Sequence, residues 1–181
     1  MEAALELIAE KGFHGAPMAE IAEKAKVAAG TIYTYFESKD VLINELHQEL
    51  EKRITFEIQE NFPAFAPLRE RFLYLFGKVL QYFLKHPLHF RFLEQYYNSP
   101  YGISLRRERI LGKSEGQTLL MDIFEQGVEE NIVKKFPNGI LASLTFGPLF
   151  FLVRDHTLGF INLEEPLLEQ MAEACWDAIK I

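Results

Sequence analysis

Apolar positions recur along this chain at spacings of three and four residues, the mark of helices that bury one face. Ala4, Leu5, Ile8 and Ala9 form a first stripe, and Gly12 is placed to end that helix. Pro17 suits the first turn of a second helix, whose inward stripe reads Met18, Ile21, Ala22 and Ala25. Lys26 and Val27 make a turn, and a third helix is expected from about Ala29 to Phe36. Ser38 can cap a fourth helix, with Asp40 at its positive end. Val41, Leu42, Leu46, Leu50, Ile54 and Ile58 then carry a ladder to about Glu60.

Asn61, Phe62, Pro63 and Pro67 break the pattern. Further helices are expected at Leu68 to Lys85, Pro87 to Tyr97, Ile103 to Asn131, Asn138 to Leu158 and Glu164 to Lys180. No alternation of period two runs long enough to make a strand. The expected fold is all-α, with about nine helices. Residues 1–46 form a three-helix helix-turn-helix domain, and 47–181 form a larger helical bundle whose first part, 47–60, is a linker helix.

A helix-turn-helix makes specific demands. Its first helix must brace the second through small and branched residues, here Ile21, Ala22 and Ala25. The turn needs an apolar plug, here Val27. The second helix must be anchored on one side only, by Ile32 and Phe36. Its free side must offer groups that reach phosphates and base edges; Thr31 and Tyr33 supply hydroxyls and Lys39 a charge. Ala29 can touch a thymine methyl. Such a surface fits the major groove of DNA.

The run IAEKAKVAAGTIYTYFESKDVL, residues 21–42, resembles the DNA-binding signature of the tetracycline-repressor (TetR) family, in spacing, core residues and the G-T-I-Y-x-Y-F run together. The resemblance covers about the first 46 residues. It implies a dimeric, ligand-responsive transcriptional regulator, usually a repressor, acting on a pseudo-palindromic operator. Carried over by position, Ala28, Ala29, Gly30, Thr31, Tyr33, Thr34 and Tyr35 lie on the recognition helix. Pro17 and Met18 start the bracing helix, and Lys39 starts the linker helix near a phosphate. Two positions depart from the family pattern. The turn glycine is Lys26 here, which suggests a turn of different shape. The serine that caps the recognition helix is Ala28, removing a cap worth about 0.5–2 kcal/mol.

Charge alters this picture. The chain carries −7 overall. From Met1 to Leu46, four lysines face eight carboxylates, a net −4. Phosphate contacts supply much of a DNA binder's affinity, so this module should grip weakly unless a dimer, Lys52 and Arg53, or basic residues ahead of the first helix assist.

The second domain is rich in rings: of 16 Phe, all but Phe13 and Phe36 follow residue 50. Phe72, Phe76, Tyr82, Phe83, Phe90, Leu93, Tyr96, Tyr97, Phe124 and Phe150 are candidates to line a pocket for an apolar or amphipathic molecule; the plain alternative is solid core. Ile140, Leu144, Gly147 and Phe151, with Leu168, Met171, Cys175 and Ile179, are candidates for a two-fold dimer face. Arg106, Arg107, Arg109 and Lys113 form a basic run. His86 and His89 are only a weak hint of metal, and no metal or cofactor is expected.

One cysteine, no leader pattern and no apolar run of roughly 20 residues point to a reducing, cytoplasmic setting without membrane insertion. No nucleophile–base constellation or phosphate-binding glycine loop suggests an enzyme. Two readings remain: a repressor released from its operator by a small molecule, or a helical ligand-binding protein of the same fold that has lost strong DNA binding.

Overall fold

In a computed structural model, residues 1–110 and 119–181 are described. Among them the chain is helical, with one isolated pairing of extended backbone between Val133 and Lys180. The helices are α1 (Glu2–Gly15), α2 (Met18–Lys24), α3 (Ala29–Tyr35), α4 (Lys39–Gln59), α5 (Leu68–Lys85), α6 (Pro87–Tyr97), α7 (Pro100–Ile110), α8 (Leu119–Glu129), α9 (Asn138–Thr157) and α10 (Glu165–Ile179). Of the stretch expected as one helix from Ile103 to Asn131, the described residues form α7 and α8, and residues 111–118 lie outside the described part; ten helices are counted among the described residues, against about nine expected.

Close packing divides the chain into two units, and the division does not follow chain order. The first comprises Met1–Thr55 and His86–Leu111; the second comprises Phe56–Lys85 and Gly112–Ile181.

In the first unit, α6 packs on the stripe of α1 formed by Ala4, Leu5, Ile8 and Ala9. Gly12 interrupts α1 with φ 74° and ψ 173°, so the chain kinks where the sequence placed its end. The kink delivers Phe13 edge-on to Phe92 and Tyr101, with centroids 6.1 and 5.6 Å away. The Gln95 amide donates to the Ala9 carbonyl at 3.3 Å. Phe90, Leu93, Tyr96 and Tyr97 therefore belong to this unit and not with the other rings grouped for a pocket; α6 turns its apolar face toward α1. At the α6–α7 corner a Cβ on Gly102 would lie 2.4 Å from both the Tyr96 carbonyl oxygen and Tyr97 Cα. The Val41 N–H donates to Ser38 Oγ at 3.2 Å, the expected cap of α4.

In the second unit, α5 packs against α8, α9 and α10. Phe72, Phe76 and Phe124 are wholly buried, and Phe72 lies 5.3 Å from the ring of Trp176. Each such ring contributes about 1.5–3 kcal/mol relative to exposure. The Thr145 hydroxyl, also buried, donates to the Leu141 carbonyl of its own helix at 2.8 Å. Helix α9 continues through Pro148, whose missing N–H leaves the Leu144 carbonyl without its helical donor.

The expected dimer face divides. Ile140, Leu144 and Phe151 are exposed along one side of α9 and Gly147 is partly exposed, but Leu168, Met171, Cys175 and Ile179 are buried inside their own unit. Helix α10 sets its stripe one position away, leaving Leu167, Gln170 and Ala174 outward. Burial pushes the Cys175 thiol up to about 11.

Candidate nucleic-acid interface

Helix α2 follows Pro17, whose extended backbone leads into Met18. Met18, Ile21 and Ala22 are buried, as the brace requires, whereas Ala25 is exposed and adds nothing to it. The turn then closes through two hydrogen bonds, Lys26 N–H to the Glu23 carbonyl at 2.9 Å and Val27 N–H to the Ala22 carbonyl at 3.0 Å. This is a Schellman motif, and Lys26 occupies its left-handed position with φ 58°. The turn thus keeps the shape that glycine would give it, contrary to the expectation of a different one. Val27, read as the turn's plug, is 41% exposed.

Helix α3 buries Ile32 alone, with Phe36 half-buried just beyond its end. Ala28, at its start, makes no side-chain cap bond. Ala28, Ala29, Gly30, Thr31 and Thr34 are exposed, as are Tyr33 (55%) and Tyr35 (75%). The Thr34 hydroxyl turns back on its own helix, donating to the Thr31 carbonyl at 2.5 Å. The groups left to reach a partner are the Thr31, Tyr33 and Tyr35 hydroxyls, with small residues that permit close approach.

The nearby cations are largely engaged. Lys11 pairs with Glu20 at 2.7 Å and Lys24 with Glu6 at 2.8 Å, tying α1 to α2. The hydrogen bond to Glu6 is the main cause that raises the Lys24 pKa. Lys39 donates to the carbonyl of Phe13, and partial burial lowers its pKa. Expected at a phosphate, Lys39 here ties the end of α1 to the start of α4. The signal missed in the sequence is the acceptor: carbonyls at a helix end lack helical donors. Farther along α4, Arg53 pairs with Glu49 at 3.0 Å.

Of the other candidates, Phe72, Phe76, Tyr82, Phe83, Phe124 and Phe150 share the second unit. Phe83 meets Phe150 at 5.7 Å, and Phe76 meets Phe146 at 5.6 Å. Phe146 and Phe150 are only half-buried, at the edge of that aromatic core. His86 and His89 stack face to face, 4.9 Å apart and 11° from parallel. Arg106 and Arg107 are exposed on α7; Lys113 and the side chain of Arg109 lie outside the described residues. Among the described residues no helix is long and apolar enough to cross a membrane.

Residues 1–46 match the family described as bacterial regulatory proteins of the tetR family, and residues 67–180 match the tetracyclin repressor-like C-terminal domain. The chain belongs to the TetR family. It is therefore a DNA-binding transcriptional regulator by family. A solved protein from Vibrio parahaemolyticus, described as a TetR-family regulator, is 34% identical; the match covers 99% of this chain and 96% of that one, with a TM-score of 0.77. An HTH-type transcriptional regulator of Haemophilus influenzae is 23% identical over 96% of this chain and 90% of its own length. A regulator named FadR from Bacillus subtilis, solved with stearoyl-CoA, shares the fold at 20% identity, covering 97% of this chain and 93% of that chain, with a TM-score of 0.72.

Within this TetR-family chain, the family's DNA-binding match ends at residue 46, whereas the packed unit that contains it also takes in α6, α7 and most of α4. The matched N-terminal module thus shares its packed unit with residues far along the sequence, α6 packing on α1.

Proposed function

We propose that the chain acts as a homodimeric repressor, whose two α3 helices read adjacent major grooves of a pseudo-palindromic operator. The observation that carries this is the one-sided burial of α3: Ile32 holds it, while Thr31, Tyr33 and Tyr35 stand outward on a surface of Ala28, Ala29 and Gly30. Pro17 and Met18 open the bracing helix beside it. The exposed stripe Ile140, Leu144, Gly147 and Phe151 on α9, with Leu167 on α10, forms the dimer contact; its apolar face and the unserved Leu144 carbonyl favour a close neighbour.

The effector is an apolar or amphipathic molecule held in the second unit. Its aromatic core runs out to the half-buried Phe146 and Phe150, and the buried Thr145 hydroxyl there is committed to its own helix. Apolar contact would then dominate recognition. Likeness in fold to a regulator solved with stearoyl-CoA supports a long acyl chain as the ligand class. The signal passes along two of the covalent joins of the two units, within α4 after Thr55 and from α5 into α6.

Duplexes selected from random DNA test the reading. Thr31→Ala with Tyr33→Ala should abolish retardation of such a duplex while leaving the oligomer intact; unchanged affinity removes the assignment. Adding long-chain acyl-CoA should release the wild-type complex, and mass spectrometry of the purified protein should find an apolar ligand.

A second reading, a ligand-binding protein without strong DNA binding, is favoured by the net −4 of residues 1–46 and the engagement of Lys11, Lys24 and Lys39. Salt distinguishes the two: a DNA reader loses affinity steeply as salt rises, and this rival forms no specific complex at any salt.

A further inference from the structure

We infer that Lys26 is a backbone-phosphate contact of the DNA-reading head, kept in a turn whose backbone favours another residue. The inference rests on the reading of α3 as the element that enters the groove.

Among the described residues the same turn closes α2, α8 and α9. Helix α2 ends with the bonds of Lys26 and Val27 described above. Helix α8 ends with Asn131 N–H donating to the Val128 carbonyl (3.2 Å) and Ile132 N–H to Gly127 (2.8 Å). Helix α9 ends with Gly159 N–H donating to His156 (3.0 Å) and Phe160 N–H to Asp155 (2.9 Å). In these three turns the left-handed position is held by Lys26 (φ 58°), Asn131 (φ 56°) and Gly159 (φ 76°). Glycine lacks the Cβ that makes this conformation costly, and asparagine offsets it through local hydrogen bonds. Lysine has neither property, so local backbone preference does not account for it. Strain retained at an exposed position points to a role in function.

Charge indicates which role. From Ala25 to Phe36 the chain holds no charged residue except Lys26. Of the four lysines in residues 1–46, Lys11 and Lys24 are held by carboxylates and Lys39 by a carbonyl. Lys26 is exposed, and its side chain makes no hydrogen bond or ion pair with the described residues. It stands two residues ahead of Ala28, where the exposed face of α3 begins. A flexible ammonium there reaches a phosphate flanking the groove that α3 reads. The contact is a charge-assisted hydrogen bond that also releases a counterion.

The test uses the full-length chain, a duplex recovered by selection from random DNA, and a non-cognate duplex of the same length. Two variants are compared with wild type. Lys26→Gly removes both charge and strain; Lys26→Gln removes the charge alone. Two lost contacts per operator should lower the slope of log affinity against log salt by about 1.8, so that raising salt from about 50 to 200 mM costs the wild type about twelvefold more affinity than either variant. The loss should be similar on both duplexes, because a phosphate contact carries no sequence information. Lys26→Gly should also melt at a higher temperature than Lys26→Gln. If wild type binds and both variants keep its salt slope, the lysine contact is overturned while the DNA reading stands. If wild type forms no specific complex at any salt, the DNA reading falls and this inference with it.

Discussion

The imidazole of His47 lies flat on the ring of Tyr96, with centroids 3.8 Å apart and planes 12° from parallel. The Tyr96 hydroxyl donates to Asn44 Oδ1 at 3.0 Å, one turn earlier on α4. One side chain of α6 thus holds two successive turns of α4. Tyr96→Phe keeps the stack and loses the bond, and should cost about 0.5–1.5 kcal/mol. Tyr96→Ala loses both and should cost about 3–5 kcal/mol. Urea unfolding of the two variants measures the difference; equal losses would mean that the stack holds nothing.

Tyr101 donates to Asp40 Oδ1 at 2.5 Å, and that bond to the carboxylate is the main cause pushing the phenol from its ordinary 10.0 up to about 12. A phenol raised on folding lends stability that is fully present below its unfolded pKa and is lost as pH climbs through the folded one. The difference in stability between wild type and Tyr101→Phe should therefore be constant below pH 10 and shrink from there toward 12. Denaturant midpoints measured across that range check it; a difference that shrinks on acidification instead would contradict the sign.

Gly102→Ala should destabilise the first unit by about 1–3 kcal/mol, since its Cβ must displace the end of α6. Gly77→Ala, in the middle of α5, meets nothing within 4 Å and should stabilise by about 0.5–1 kcal/mol. Thermal melts of both variants decide, and a neutral Gly102→Ala would show that the corner yields freely.

On α9, Leu144→Glu with Phe151→Glu places charges in the proposed dimer contact. Both side chains are exposed, so the second unit should fold with unchanged helix content. Association should weaken by about 100-fold or more, since a buried unpaired charge is costly. Sedimentation equilibrium reads this, and a variant that stays dimeric moves the contact elsewhere.

Much of this fold is legible locally. Helix periodicity and the positions of Pro67, Pro87 and Pro137 set the limits of α5, α6 and α9 because both signals act within a few residues. The partner of each apolar face is not local. Phe83 and Phe90 look alike in sequence, each on an amphipathic helix, yet packing against α1 draws α6 and Phe90 into one unit and leaves Phe83 in the other. The same limit applies within the candidate interface. The helix-turn-helix was readable from Ile21, Ala22, Ile32 and the spacing around Lys26, but small apolar residues beside a turn carry no clear preference for a side, and Ala25 and Val27 face outward. Lys39 was visible as a cation, while the Phe13 carbonyl that engages it was not. On α10, neighbouring Leu167 and Leu168 differ by one position, which sends one outward and the other inward.

The return of α6 to α1 bears on how the protein is made. The face of α1 formed by Ala4, Leu5 and Ile8 waits for a partner that begins only at Pro87. At ribosomal speeds of about 5–20 residues per second, the roughly seventy residues between α1 and α6 delay that partner by roughly 4–14 seconds. During that interval the nascent reading head lacks its buttress, and a chain cut short within α5 would leave it permanently exposed to chaperones and proteases. A regulator built this way completes its DNA-binding head only after α5 of the second unit has been synthesised, so truncated products are disposed to be cleared rather than to occupy an operator.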